Sequence, residues 1–453
     1  MKIVYLKNFG CKVNAAELLE AGGALKDAGC RVIEIQSHNE IPAQSNATLI
    51  VNSCTVTAAA DAKLRGFVRR VRKHAPNLQV VVGGCTVRAE HFDKSALAGA
   101  LAVPRVEDAV AIVARAADAE FVAMDTLDAL RENGAIDAHF GRTREFVRVQ
   151  DGCDCRCSFC IVPLVRPAFS IPFDDVRTHL DRAIARGARE IVLTGTNIGK
   201  YRVADDTSFA DVFGFALDRA ERTRAEGAPM RVRVSSIEPE DVDDAILDLF
   251  AHSAACKHIH LPLQSGSPRV LAAMQRRYGI ERYMQVVSKF RSRFPIGSIS
   301  TDILVGFPTE TDDDFAETLS SMRHCGFERV HVFRYSPRPG TRAATQKQVQ
   351  DAVTFARMKT AIELGDKIVL ARMGRHIGET AEVLVERKRS GICEGYSGEY
   401  HRVRFPCPDA RTGSFAQVAI ERIDSAGLFA GRIVASGSPA QAISSVDSEG
   451  ELR

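Results

Sequence analysis

No apolar run in the chain reaches about 18 residues, so no stretch is long enough to cross a bilayer as a helix. The opening Met1-Lys-Ile-Val-Tyr-Leu lacks the layout of a signal peptide and reads as a strand. The expectation is a cytoplasmic protein with no membrane partner. A surplus of one charge is also missing: 60 Lys and Arg face 57 Asp and Glu, a formal net of +3. So small a net charge excludes a global field for polyanions, and any nucleic-acid contact must be local. What the chain does have is cysteine, twelve in 453 residues. In a reducing compartment that points to metal or redox chemistry more than to disulfides. The length predicts two or three domains.

The densest cysteine stretch is Gly152-Cys-Asp-Cys-Arg-Cys-Ser-Phe-Cys160. Read through Cys153, Cys157 and Cys160 it is Cys-x3-Cys-x2-Cys, three thiolates that can converge on one soft-metal object. Most 4Fe–4S clusters take four cysteines, so three leave one iron open to another ligand. Cys155 keeps a second reading open, because four cysteines in eight residues can also close a tetrahedral zinc site.

Upstream, three apolar, β-branched runs each end at a cysteine: Lys2–Gly10 before Cys11, Ala47–Ser53 before Cys54 and Leu78–Gly84 before Cys85. Helical patterns such as Ala15–Ala28 lie between them, which predicts a doubly wound parallel-sheet domain over residues 1–125. Parallel strands point the same way, so the three cysteines gather at the carboxyl edge, where such sheets bind ligands. Gly10, Gly83 and Gly84 allow close backbone approach there. Cys30 carries no assigned role. Residues 63–74 form an amphipathic helix with Leu64, Phe67, Val68 and Val71 on its buried face. Its cations, among them Arg69, Arg70, Arg72 and Lys73, are candidate phosphate contacts. Residues 126–145 read as a linker.

Over residues 146–372, six strand-like runs begin with Phe146–Gln150 and alternate mostly with helical patterns. Six units predict a partial (β/α)6 barrel, with its chemistry at the carboxyl ends of the strands. The cysteine loop follows the first strand. The other strand ends bring Asn197, Glu238, Gln264, Ser265 and Asp302 near one mouth. Their amides and carboxylates suit the ammonium of an amino acid and the hydroxyls of a ribose. Residues 374–436 alternate in period two with glycine-rich turns, the pattern of a small antiparallel β-barrel. Arg387, Lys388 and Arg389, with Arg402 and Arg404, can form a local basic patch. Residues 437–453 are a polar tail.

These features together resemble the methylthiotransferases of the radical S-adenosylmethionine superfamily. The most specific matches are Cys11-Lys-Val-Asn, Asn52-Ser-Cys-Thr-Val, Gly83-Gly-Cys85, the cysteine loop, Leu263-Gln-Ser-Gly-Ser, Thr301–Thr311 and Tyr335-Ser-Pro-Arg-Pro-Gly-Thr. The wording is most similar to the branch acting on N6-threonylcarbamoyladenosine at position 37 of tRNA. The resemblance implies that Cys153, Cys157 and Cys160 hold a 4Fe–4S cluster that binds S-adenosylmethionine and generates a 5′-deoxyadenosyl radical. It implies that Cys11, Cys54 and Cys85 hold a second 4Fe–4S cluster from which a methylthio group reaches C2 of the adenine. It further implies the anticodon loop of tRNA as partner, a reduced flavodoxin- or ferredoxin-type electron donor, and a final barrel of the RNA-binding TRAM type. Two departures stand out. Cys155 replaces the usual aspartate, asparagine or histidine. Pro163-Leu-Val-Arg-Pro167 replaces the common Pro-Tyr-x-Arg-Gly, keeping Arg166 but not the glycine. Related enzymes acting on isopentenyladenosine in tRNA, or on an aspartate of a ribosomal protein, are alternatives within the resemblance. A zinc-stapled RNA-binding protein without catalysis is the alternative outside it.

Overall fold

The structure, a computed structural model, describes residues 2–115, 143–203, 206–407, 410–424 and 429–434. Residues 126–142 of the expected linker and the expected tail, 437–453, lie outside them. The chain divides into two compact units, residues 1–375 and 376–453.

The first unit opens with five parallel strands in the order β2-β1-β3-β4-β5. They are β1 (Ile3–Asn8), β2 (Arg31–Glu34), β3 (Thr48–Ser53), β4 (Gln79–Gly84) and β5 (Leu101–Ala102). The strand period of two sorts their side chains. Val4, Leu6, Ile50 and Val81 pack with Leu18 and Leu25 of α1 (Lys12–Asp27) and with Ala109 and Val113 of α4 (Asp108–Arg115). Tyr5, Leu49, Val51, Val80 and Val82 face the other way, onto Leu64, Phe67, Val68 and Val71 of α2 (Ala58–His74). This is the predicted doubly wound sheet, and its order reverses between β1 and β3, where open α/β sheets place ligands.

Six further parallel strands follow in the same unit: β6 (Arg144–Arg148), β9 (Glu190–Thr194), β10 (Arg231–Val234), β11 (His258–His260), β12 (Ser298–Val305) and β13 (Arg329–Arg334). They pair as two three-stranded sheets, β6-β9-β10 and β11-β12-β13. Single parallel bridges, Val232 with Ala255 and Ser236 with His260, carry the curve from one to the other. This is the predicted partial barrel, backed by helices at Phe173–Ala185, Phe209–Ala225, Ile280–Arg293, Asp312–Cys325 and Asp351–Met373. The first predicted strand is divided: β6 ends at Arg148, and β7 (Gln150–Asp151) pairs antiparallel with β8 (Phe169–Ser170), closing off the cysteine loop. The two expected domains are one compact unit because the segment after the cysteine loop is buried in the first sheet. Ile161 and Val165 belong to the core formed by Tyr5, Leu64 and Val82.

The second unit is a closed barrel, β14 (Thr380–Arg389), β15 (Ile392–Ser397), β16 (Arg402–Pro406), β17 (Phe415–Ile423) and β18 (Phe429–Ile433), in the order β14-β15-β16-β18-β17. One correction is needed: β16 and β18 run parallel, while the other pairs are antiparallel. An odd number of strands cannot alternate direction around a closed ring, so at least one neighbouring pair must be parallel. Cys393 and Cys407 form a disulfide inside this barrel, Cα atoms 5.7 Å apart. These two cysteines therefore depart from the reading of the cysteines as metal or redox groups. They come together because β15 and β16 pair with Cys393 opposite Phe405.

Candidate metal centres

The three upstream cysteines lie at the carboxyl ends of adjacent strands. Cys11 is the N-cap of α1, Cys54 follows β3, and Cys85 opens the short helix α3 (Cys85–Arg88) directly after β4. Gly84 makes the last turn possible. Its φ is 97°, and a Cβ there would stand 2.3 Å from Asn52 Oδ1 and 2.7 Å from the Ser53 carbonyl. Buried amides lock the three loop ends together. Asn14 Nδ2 donates to Asn52 Oδ1 at 2.9 Å, and Asn52 Nδ2 donates to the Asn14 carbonyl at 2.8 Å and Glu17 Oε2 at 3.0 Å. Ser53 Oγ donates to the Gly83 carbonyl, and Thr86 Oγ1 to that of Cys54. Burial pushes the Cys54 thiol up to about 12, and the nearby Cys85 and Cys11 sulfurs add to the shift. The three thiols thus form one electrostatic neighbourhood. Asn14 and Asn52 stand in Cys11-Lys-Val-Asn and Asn52-Ser-Cys-Thr-Val; their position beside the cysteines was the available signal for their role.

The second triplet is set by the loop between β7 and β8. Gly152, at φ 67°, lets the chain turn against its own return strand, since a Cβ would meet the Pro167 carbonyl oxygen at 2.0 Å. Cys153 N–H donates to the Arg166 carbonyl at 3.3 Å, and Cys160 N–H to that of Cys157 at 3.1 Å. Ser158 ties the loop down through Met274 and Ala273. Arg276 Nη1 donates to Cys157 Sγ at 3.3 Å and pairs with Glu238. Burial pushes Cys160 up to about 12 and also raises Cys157. Cys155 is buried; its backbone N–H donates to Cys153 Sγ at 3.4 Å, and its thiol faces Asp154 Oδ1 at 4.0 Å. The proximity of the two thiols lowers Cys153 and raises Cys155. The ligand atoms of Cys153, Asp154 and Cys155 lie within 4.8 Å of one another, close enough to share a metal ion.

Three sulfurs with a buried arginine beside them suit a soft-metal cluster, whose net charge such donors stabilise. The residues at the mouth fit a polar group bound next to it. Asn197 Nδ2 donates to Cys155 Sγ at 3.4 Å and Cys153 Sγ at 3.8 Å. Its buried Oδ1 has no hydrogen-bond partner among the described residues. Burial pushes the Glu238 carboxyl up to about 7 against the pull of Arg276. Asp302 Oδ2 lies 3.3 Å from His260 Nε2. Gln264 holds a left-handed φ of 62° and is locked by backbone hydrogen bonds to Asp302 and Leu304. Ser265 differs from expectation. Its fully buried hydroxyl is engaged by Thr318 Oγ1 at 3.1 Å and Ser267 N–H at 3.2 Å, so it braces the strand end.

Buried charge joins the two sites. Arg166 Nε donates to Cys85 Sγ at 2.9 Å, and its other donors reach Glu17 and Asp151. Arg148 lies against Glu17, Glu20, Glu107 and Asp151. Arg338 Nη2 donates to Thr55 Oγ1 at 2.7 Å and Asp61 Oδ2 at 2.6 Å, just past Cys54. Sequence reasoning missed Glu17, Asp151, Arg148 and Arg338; apart from the Arg148–Asp151 pair, their ionic partners lie far along the chain.

Of the four candidate phosphate contacts on α2, Arg69, Arg70 and Lys73 are exposed. Arg72 instead donates to the carbonyls of Leu78, Ala98 and Gly99, so it staples the helix to its neighbours. In the barrel Arg387, Lys388 and Arg389 are exposed, with Lys388 reaching the Ala410 carbonyl. Arg402 and Arg404 both pair with Glu394.

Comparison with known proteins agrees with this architecture. The Radical SAM superfamily profile matches residues 147–322, and that of uncharacterized protein family UPF0004 matches residues 3–102. The threonylcarbamoyladenosine tRNA methylthiotransferase MtaB of Thermotoga maritima is 32% identical over 439 residues, covering 95% of this chain and 97% of that protein. The tRNA-2-methylthio-N(6)-dimethylallyladenosine synthase of Chloroherpeton thalassium is 31% identical over 448 residues, covering 94% and 95%. The fold is similar to that of the radical S-adenosylmethionine methyltransferase TsrM from Kitasatospora setae, with a TM-score of 0.54 at 15% identity over 76% of this chain and 75% of that one. No helix among the described residues is long and apolar enough to cross a membrane. With a relative matched along nearly its whole length, the chain belongs to the radical S-adenosylmethionine methylthiotransferases, transferases whose cofactors are S-adenosylmethionine and two 4Fe–4S clusters.

Proposed function

We propose that this enzyme adds a methylthio group to C2 of N6-threonylcarbamoyladenosine at position 37 of tRNA. The observation that carries the reading is the pair of three-thiol sites in one compact unit. Cys153, Cys157 and Cys160 hold the cluster that binds S-adenosylmethionine, and Cys11, Cys54 and Cys85 hold the other. When bound, these groups supply one-electron chemistry for a carbon–hydrogen bond that no side-chain base can open. The chain's own residues bind and orient. Asn197, Glu238 and Asp302 present polar heads to S-adenosylmethionine, while Gln264 and Ser265 shape the adjoining strand ends. Arg276 holds Cys157.

Relatives named threonylcarbamoyladenosine tRNA methylthiotransferase, 32% and 31% identical, favour this substrate over its dimethylallyl counterpart. A threonylcarbamoyl group carries a carboxylate, whereas a dimethylallyl group is apolar. His331 on β13 is lowered by burial and by Arg329, against the pull of Asp302. Phe333, 46% exposed, and Arg334 line a cavity of about 480 Å³ with Thr57, Ala58 and Tyr335, offering an unstacked base an aromatic face. Arg69, Arg70 and Lys73 on α2, with Arg387, Lys388 and Arg389 on a TRAM-type barrel, contact tRNA phosphates; Arg72 supports α2. A flavodoxin- or ferredoxin-type donor supplies electrons, and the enzyme works in the cytoplasm. The dimethylallyl reading stays as the second because relatives so named are 30–31% identical.

Mass spectrometry of tRNA nucleosides from a deletion strain tests the substrate. The methylthio adduct of threonylcarbamoyladenosine should vanish. Loss of the dimethylallyl adduct instead would establish the second reading. Anaerobically loaded protein should carry about eight irons per chain; Cys155→Ala should keep them and Cys157→Ala should lose about half.

A further inference from the structure

The segment after the cysteine loop belongs to both sites at once. Cys160 is followed by Ile161, and with Val165 this residue is buried in the core beneath the upstream cysteines. The next residue, Arg166, is 3% exposed. Its carbonyl accepts from Cys153 N–H at 3.3 Å, and its side chain donates to Cys85 Sγ at 2.9 Å. One residue therefore touches a cysteine of each triplet. The guanidinium is held in place by carboxylates on two sides. Nη1 donates to Glu17 Oε1 at 2.8 Å and to both oxygens of Asp151 at 2.7 Å, and Nη2 donates to Glu17 Oε2 at 2.8 Å. Pro167 fixes the backbone just after it. A planar fork with five donors can serve sulfur and two carboxylates together, whereas a lysine ammonium cannot reach all three in the same plane.

We propose, on the reading that Cys85 holds iron, that Arg166 is a positioning residue with two effects: it fixes the two thiolate sites in one frame, and its N–H···S hydrogen bond sets the electron affinity of the upstream cluster. Hydrogen bonds to cluster sulfurs and local net charge are the protein's main means of tuning such centres. A cation donating to Cys85 favours the reduced, more negative cluster. Glu17, sharing that cation, opposes it. The two residues therefore shift the potential in opposite directions, which a merely structural role would not do.

The test uses the full chain carrying C153A, C157A and C160A, loaded anaerobically, so that the upstream cluster is observed alone. Redox titration followed by electron paramagnetic resonance should give a lower potential for Arg166→Gln and a higher one for Glu17→Gln. If Arg166→Gln fails to hold iron, the sign of the Glu17→Gln shift still decides. An unchanged or lowered potential in Glu17→Gln overturns the tuning effect. Adding Cys85→Ala separates the two levels. A cluster signal that survives it removes the ligand assignment, and with it the proposal. A signal that depends on Cys85 but ignores Arg166 and Glu17 removes only the proposal. In the protein with both sites intact, Arg166→Lys should still form 5′-deoxyadenosine, while methylthio product falls by roughly 10–100-fold through loss of alignment. Equal losses of both products would overturn the positioning effect.

Discussion

Glu190 shows how single side chains tie the strand starts of the partial barrel together. It is fully buried at the start of β9, where Arg231 Nε reaches Oε2 at 2.7 Å and Arg233 Nε reaches Oε1 at 2.7 Å. Burial alone would raise this carboxyl, but Arg233 and Arg231 outweigh it and hold it well below the usual carboxylate range. A depressed folded-state pKa adds stability above the unfolded value, and that stability is lost as pH falls. Glu190→Gln should therefore cost about 3–5 kcal/mol at neutral pH, because two arginines lose their counter-ion. The difference from the parent should begin to shrink towards about pH 3.5, as the carboxyl of the unfolded parent takes up a proton that the folded carboxyl still refuses. Urea unfolding at both pH values checks the magnitude and the sign. At this scale the positions of Cys11, Cys54 and Cys85 after strands were legible in sequence, since strand ends are local features. The partners of Arg166 were not. Glu17 lies 149 positions away from it, and Cys85 lies 81 away.

Helix α2 separates two roles that look alike in sequence. Its apolar face was readable from period alone, and Leu64, Phe67, Val68 and Val71 are all buried. Its cations were not readable one by one. Arg72 makes three hydrogen bonds to carbonyls, whereas Arg69, Arg70 and Lys73 are exposed. Arg72→Ala should cost about 1.5–3 kcal/mol of stability, the loss expected for charged hydrogen bonds. Replacing Arg69, Arg70 and Lys73 together by Ala should leave the unfolding midpoint nearly unchanged. That triple variant should weaken tRNA binding and lower its salt dependence by about one unit of slope for every phosphate no longer neutralised. Filter binding over a salt series, paired with thermal melts, distinguishes the two. The barrel strands were likewise legible through alternation, but the parallel pair β16–β18 was not, because direction around a ring depends on strand number and closure.

Across the whole chain, residues 1–375 form a unit with both candidate centres, and residues 376–453 form another. A chain ending at Arg375 should therefore fold, load about eight irons and bind S-adenosylmethionine. It should bind tRNA more weakly by roughly 100-fold if the barrel acts as a tethered second contact. Iron analysis and tRNA titration of the shortened chain test this. Full affinity without the barrel would remove its RNA role.

By itself the sequence determined the strand and helix periods, the soft donor set and the placement of cysteines at strand ends, because each depends on neighbours a few residues apart. Only the tertiary structure decided that Ile161 and Val165, after the cysteine loop, join the core of the first sheet, that Ser265 and Arg72 face structural partners, and that Arg166 reaches a cysteine of each triplet. Those outcomes depend on apolar side chains and desolvated polar groups meeting partners far along the chain, and such contacts exist only once the chain has folded.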